Sequence, residues 1–322
     1  MSEPELIVLS TETDTARELR ADVRDGLRDT PKRLSSKWLY DTRGSELFEH
    51  ITELSEYYQK RAEQRILRDN AAEIAGLTGV GTLVELGSGS SEKTRLLLDA
   101  MRNETLERFV PLDVSESALR SAVEAIALDY PELTVRGVVG DFTTGLAKMP
   151  PTDDRMVAFL GGTIGNLLPD QRAEFLASVR AALRPGDWLL LGTDLVKDPD
   201  RLVRAYDDAE GVTAEFNRNV LRMLNRELGA DFPVEDFEHR VHWDADREWI
   251  EMRLRAGRAL RVFVRELDMT VDFAAGEEIR TEISAKFRLD RIRRELDVGG
   301  FDLYRWWSDE AGDFAVSLAS AR

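Results

Sequence analysis

Cysteine is absent from the 322 residues, which rules out disulfides, thiolate-ligated zinc and a cysteine nucleophile together. Basic residues are outnumbered: 44 Lys and Arg stand against 61 Asp and Glu, a formal charge of −17. So acidic a surface repels phosphate backbones and anionic lipid, so neither nucleic acid nor a membrane is an expected partner. No apolar run is long enough to span a bilayer, and the acidic stretch Met1–Ser10 carries no basic leader region. These absences fit a cytoplasmic protein. Histidine is scarce, at 3 residues. His239 and His242 lie three apart, which puts them on opposite faces of a strand, and no third ligand is nearby, so no metal is expected. No serine, histidine and acid triad can be singled out by spacing, and internal repeats and low-complexity linkers are missing.

What is present is an ordinary soluble composition, 43% hydrophobic, with a clear order of elements. Residues 11–29 carry helical spacing and end at Thr30-Pro31. An aromatic-rich segment, Leu34–Tyr58, follows and contains Trp38, Tyr40, Phe48, Tyr57 and Tyr58. Most of these aromatics are expected simply to pack. Then βα alternation becomes regular. Apolar strands are expected at Thr82–Leu86, Phe109–Leu112, Leu133–Val139, Met156–Leu160 and Trp188–Leu191, with helices between them. That pattern predicts a parallel, doubly wound α/β sheet, whose ligands bind beyond the strand C-termini. After Asp194 the pattern changes to helices at about 199–208 and 213–228, then alternating segments at 238–243, 249–255, 260–267 and 279–287. Leu303–Trp307 and Phe314–Leu318 read as a closing antiparallel hairpin.

The chain is organised around Leu83–Thr94, a strand that breaks at Gly87-Ser88-Gly89-Ser90-Ser91 before Glu92 opens an amphipathic run. The glycines permit a tight turn and close backbone approach, and a helix start offers unpaired N–H groups. A dinucleotide fingerprint needs a third glycine where Glu92 stands. A carboxylate before the first glycine, Glu85, is instead what S-adenosylmethionine-dependent methyltransferases show. Asp113 ends the second strand, where a carboxylate can accept both ribose hydroxyls. Gly140-Asp141-Phe142 ends the third, where Asp141 can take the adenine amino group and Phe142 offer a backbone N–H or a ring face. Each acid alone is weak evidence, since acids commonly end strands; their order around one glycine turn is what carries weight.

Further elements make the chain resemble the histidine Nα-methyltransferases of ergothioneine biosynthesis nearly end to end. They are Pro31-Lys32 with Lys37-Trp38-Leu39-Tyr40-Asp41, Glu56-Tyr57-Tyr58, Ser91-Glu92-Lys93-Thr94 and Gly165-Asn166. They continue with Gly192-Thr193-Asp194-Leu195-Val196-Lys197-Asp198, Arg204-Ala205-Tyr206-Asp207-Asp208, Phe216-Asn217-Arg218-Asn219 and Thr281-Glu282-Ile283-Ser284 with Lys286-Phe287. Departures are conservative: Leu39 where an aromatic is common, and Gly162 where serine is common.

The resemblance implies a Rossmann-like class I methyltransferase sheet with a second, smaller α+β substrate-binding domain. Residues 1–62 and 195–286 would form the substrate-binding domain. Residues 63–194 would bind S-adenosyl-L-methionine, and 287–322 would complete that sheet. Gly87, Lys93, Asp113, Asp141 and Phe142 would hold the cofactor. Tyr57, Asn166 and Tyr206 would hold the amino acid's amino and carboxylate ends, while Glu282 and Ser284 hydrogen-bond the imidazole and Met252 forms an apolar wall. Tyr57 would also act in catalysis, orienting the amine and passing its proton to water, and Tyr40 and Phe48 could hold the methylated ammonium by cation–π attraction. The implied reaction is trimethylation of free L-histidine to hercynine by a monomer.

The bland reading of Glu282-x-Ser284 is a pair of ordinary residues on the solvent face of a sheet. An N-methyltransferase of a tryptophan derivative is the enzyme alternative. An indole, with one N–H and no basic nitrogen, makes poor use of Glu282 and Ser284. A non-catalytic S-adenosylmethionine-binding sensor is the alternative from another class, and would need no polar amino-acid pocket.

Overall fold

The computed structural model describes residues 5–9, 12–89, 91–102, 104–141 and 154–322. In chain order these form β1 (Glu5–Val8), α1 (Glu12–Gly26), β2 (Lys32–Arg33), α2 (Thr42–Glu53), α3 (Gln59–Thr78), β3 (Thr82–Leu86), α4 (Arg95–Met101), β4 (Arg108–Asp113), α5 (Glu116–Asp129) and β5 (Thr134–Val139). The chain continues through β6 (Arg155–Phe159), α6 (Pro169–Ala182), β7 (Trp188–Asp194), α7 (Pro199–Arg204), α8 (Val212–Leu228), β8 (Phe237–Asp244), β9 (Trp249–Ala256), β10 (Leu260–Val264) and β11 (Met269–Phe273). It closes with β12 (Glu278–Ala285), α9 (Leu289–Val298), β13 (Phe301–Ser308) and β14 (Phe314–Ala321).

Two compact units result. The first comprises Met1–Ser10, Gln59–Val196 and Lys286–Arg322, the second Thr11–Tyr58 and Lys197–Ala285. The first is built on an eight-stranded sheet in the order β1-β5-β4-β3-β6-β7-β14-β13. Strands β1 to β7 of that sheet pair in parallel, and β14 runs antiparallel to both β7 and β13. The two central strands, β3 and β6, are buried at every position. That is why they read as unbroken apolar runs rather than alternating ones.

The second unit has its own core, gathered from α1, α2, α8 and the sheet β2-β12-β9-β8, with β10 and β11 as a separate hairpin. Its residues come from two distant stretches of chain, which tie together through named bonds. Asp41 caps α2 by accepting from Gly44 N at 2.7 Å and also accepts from Asn219 Nδ2 at 2.7 Å and Arg226 at 2.8 Å. Trp38 donates from Nε1 to Asp22 at 2.7 Å. Much of the shared motif around Trp38 and Asp41 is therefore architectural.

Several expectations need correcting. Residues 1–62 do not belong to one unit: Glu5–Val8 pairs in parallel with β5, opposite Arg136–Val139, and Gln59 onwards enters the first unit. A four-residue edge strand offers too short a pattern to recognise alone. The amphipathic run expected to open at Glu92 becomes helical only at Arg95, after a turn that follows Ser91, which takes φ of +52°. The single segment expected at 260–267 is β10 followed by a tight turn, in which Asp268 sits at φ +45° before β11 begins.

Candidate active site

The glycine turn after β3 is shaped by backbone conformation rather than crowding. Gly87 and Gly89 have φ of +65° and +49°, and a Cβ placed on either would meet nothing within 4 Å. A side chain there would be strained and would fill the space a ligand needs to approach the backbone. Beneath the turn, Glu85 is buried and accepts from Ser91 Oγ at 3.1 Å and from Thr94 Oγ1. Burial pushes its carboxyl up to about 7, against the pull of those hydroxyls and of Lys93. Glu85 thus stitches the turn from below.

Asp113 ends β4 and closes the turn from the neighbouring strand. Its two carboxylate oxygens accept from Gly89 N at 2.8 Å and from Ser115 N at 2.9 Å. Burial raises its pKa, partly offset by these backbone donors. Gly140 N donates to Asp113 O at 2.9 Å, which brings Asp141 to the same sheet edge. Phe142 lies outside the described residues.

Lys93 pairs with Glu63 of α3, which is completely buried. Asn166 ends the turn Thr163–Asn166, entered through Gly161 and Gly162 at φ of +79° and +71°. Arg172 donates to Leu167 O at 2.7 Å and forms a two-pronged pair with Glu295 at 2.9 and 3.0 Å, bracing that loop.

The candidate cofactor residues fit S-adenosylmethionine. The glycine cradle admits a ligand close to backbone, Asp113 offers a carboxylate at the strand end, and Lys93 supplies a cation. The buried Ser88 hydroxyl has no hydrogen-bond partner among the described residues. On the expectation that Asp113 accepts from ribose hydroxyls, replacing it with alanine removes that acceptor and also releases Gly89. The expected loss in S-adenosylhomocysteine affinity is roughly 1.5–3 kcal/mol, as for hydrogen bonds to charged groups. Calorimetry reads this directly, and unchanged affinity would remove Asp113 from the site.

In the second unit, β12 presents Glu282 and Ser284 on one face, since residues two apart in a strand share a side. Both are buried, at 8% and 5% exposure, so they are not solvent-face residues. The antiparallel register sets Glu282 opposite Met252 and Ser284 opposite Ile250. Tyr206 donates from its hydroxyl to Ser284 Oγ at 2.7 Å. Four of the expected substrate residues are thus gathered by one sheet and one tyrosine. Tyr57 is held edge-to-face against Phe48 at 6.0 Å, and Phe48 packs in the same way on Tyr40 at 5.4 Å. Phe216 completes this aromatic cluster, 5.4 Å from Tyr40 and 6.0 Å from Phe48.

A polar chain that links Tyr206 to Thr281 through His239 and the fully buried Asn217 is not foreshadowed by the sequence pattern. The Tyr206 carbonyl can only accept, so His239 presents Nε2–H to it at 2.8 Å and accepts from Asn217 Nδ2 on Nδ1 at 2.9 Å. Thr281 then donates to Asn217 Oδ1 at 2.6 Å and is also 3.0 Å from the Met252 carbonyl. Thr281 sits where the β12–β9 register shifts. Burial lowers the His239 pKa and favours the neutral ring this pattern requires. His239 is thereby a structural hydrogen-bonding residue, with both ring nitrogens engaged. Glu63 likewise belongs to none of the motifs, although a carboxylate on the apolar stripe of Ala62, Ile66, Leu67 and Ala71 is a readable sign of a buried ionic contact.

The sheet order, with its parallel core, antiparallel closing hairpin, glycine cradle and acids at adjacent strand ends, defines a class I S-adenosylmethionine-dependent methyltransferase. Within that class, the chain matches the model of the S-adenosylmethionine-dependent, histidine-specific methyltransferases over residues 19–321, and it belongs to that family. It is 58% identical to the histidine N-alpha-methyltransferase of Mycolicibacterium smegmatis, over 95% of this chain and 96% of that one. It is 56% identical to the protein of the same name from Mycobacterium tuberculosis, over 94% of each. The ergothioneine biosynthesis protein 1 of Neurospora crassa is 35% identical over 87% of this chain and 32% of its own length.

Proposed function

We infer that this enzyme transfers methyl groups from S-adenosylmethionine to the α-nitrogen of free L-histidine, three in succession, yielding hercynine for ergothioneine biosynthesis. The observation that carries the substrate assignment is the buried face of β12, where Glu282 and Ser284 stand beside Met252 with Tyr206 bonded to Ser284. Imidazole carries two ring nitrogens, and an acid and a hydroxyl on one face can address both. Tyr57, Asn166 and Tyr206 are assigned to the amino and carboxylate ends of the substrate. The second unit is, on this reading, the substrate-binding domain. Gly87, Lys93, Asp113, Asp141 and Phe142 are assigned to the cofactor.

S-adenosylmethionine supplies a methyl group already activated by its sulfonium. The work left to the protein is to align a neutral amine lone pair. An ammonium has no lone pair, so a proton must leave before each transfer; Tyr57 orients the amine and passes that proton to water. Tyr40 and Phe48, in contact with Tyr57 or with each other, offer π faces to the methylated ammonium. Among the described residues no helix is long and apolar enough to cross a membrane. We assign the enzyme to the cytoplasm and as a monomer.

The test is mass spectrometry of purified protein incubated with S-adenosylmethionine and each free amino acid in turn. Histidine is expected to gain three methyl groups. Mass gain on another amino acid with none on histidine would overturn the substrate assignment.

A further inference from the structure

We propose that Glu63 is a positioning residue for the cofactor: a buried counter-ion that holds Lys93 in place for the carboxylate of the methionine moiety and locks the Gly161 turn. This rests on the reading of Lys93 as a cofactor residue. S-adenosylmethionine has a carboxylate, an ammonium and a sulfonium, and only the carboxylate is an anion. A lysine assigned to it therefore takes that group.

Glu63 lies on α3, with no exposure to solvent. A carboxylate so buried is costly unless paired and hydrogen-bonded. Its partners are the Lys93 ammonium and the Gly161 N–H, which lies 2.8 and 2.9 Å from the two oxygens. The first unit also makes room for it. A Cβ on Gly192 of β7 would sit 2.1 Å from Glu63 Oε1, so the carboxylate occupies volume that any other residue there would fill. A Cβ on Gly161 would lie 3.4 Å from Lys93 Nζ, which places the ammonium directly over the turn. One side chain therefore joins the segment following the glycine cradle to the loop that ends in Asn166.

An ammonium has three donors, and Glu63 fixes its direction while leaving donors for a second anion. Without Glu63, the lysine stem is a flexible four-carbon chain that must be ordered each time the ligand binds. The cost of that ordering falls on ligands that carry a carboxylate, and only on those.

The experiment compares two ligands by calorimetry: S-adenosylhomocysteine, which has the carboxylate, and 5′-methylthioadenosine, which lacks it. Glu63→Gln keeps the side-chain shape and an acceptor for Gly161 N–H but removes the charge. S-adenosylhomocysteine affinity is expected to fall about ten-fold or more, as when a charge-assisted contact is lost, with methylthioadenosine affinity nearly unchanged. In a Lys93→Met background, Glu63→Gln is expected to cost nothing further. Equal losses on both ligands, no loss on either, or an additive loss in the double variant would overturn the proposal. If Lys93→Met itself spares the preference for the carboxylate ligand, the reading of Lys93 fails instead. Glu63→Asp, which retains charge but withdraws it by one methylene, gives the same comparison should the glutamine variant not fold.

Discussion

Replacing Lys286 with methionine is expected to destabilise the protein by about 3–5 kcal/mol, the cost of breaking a buried ion pair from one side. Lys286 has no exposed surface, its Nζ lies 2.8 Å from Asp194 Oδ2, and the Asp194 side chain is itself buried. Gln59 Nε2 reaches the same carboxylate at 3.4 Å. The surrounding backbone is equally committed. Phe287 N donates to Asp194 O at 2.8 Å, and Val196 N donates to Phe287 O at 3.0 Å. This knot closes the end of β7 where the chain re-enters the first unit. Methionine fills most of the lysine volume, so lost packing is a minor part of the effect and the loss of the carboxylate's cationic counter-ion the major one. Urea unfolding of the variant reads the loss. A double replacement, Asp194→Asn with Lys286→Met, is expected to recover much of it, because no charge is then left in an apolar setting. A single variant within about 1 kcal/mol of the parent would show that the pair is not what holds this corner.

Glu282→Ala should lower kcat/KM for histidine about ten- to hundred-fold. That corresponds to roughly 1.5–3 kcal/mol for a charge-assisted hydrogen bond. Cofactor affinity should change little. The side chain is buried opposite Met252 and two residues from Ser284, to which Tyr206 is bonded. Removing it makes this buried face of β12 less polar while the strand ladder, made by backbone, stays intact. Phenylalanine and tryptophan never used the carboxylate, so whatever activity they support should fall less than that on histidine. All three substrates are measured with parent and variant. An equal proportional loss on each would point to a folding defect, and an unchanged rate on histidine would end the role of Glu282 in recognition.

Both variants lie in shared motif segments, yet they do different work. Lys286 serves the sheet of the first unit, and Glu282, four residues earlier, stands buried on β12 of the second, opposite Met252. Asp41 and Asp113 divide likewise: one caps α2 and anchors α8, the other closes the glycine turn. A motif marks a place where several demands meet, and the contacts decide which demand each side chain answers.

By itself, the sequence determined the class of fold and the cofactor edge, because both are written in short-range patterns, while the reaction came from resemblance to a family. Apolar runs of strand length separated by helical periods allow little besides a parallel sheet, and a glycine turn with acids at successive strand ends marks the cofactor edge. The alternation of Glu282 and Ser284 likewise needs only an extended backbone. Tertiary structure alone decided the partners. Glu63 meets Lys93 and Gly161, which lie 30 and 98 residues away in the chain. Thr281 finds Asn217 across 64 residues, and the edge strand Glu5–Val8 finds β5. The physical reason is that a turn or a strand face is set by the dihedral preferences of a few neighbouring residues. A buried charge or a short edge strand is tolerated only once distant segments have already folded around it to supply its counter-ion or its ladder.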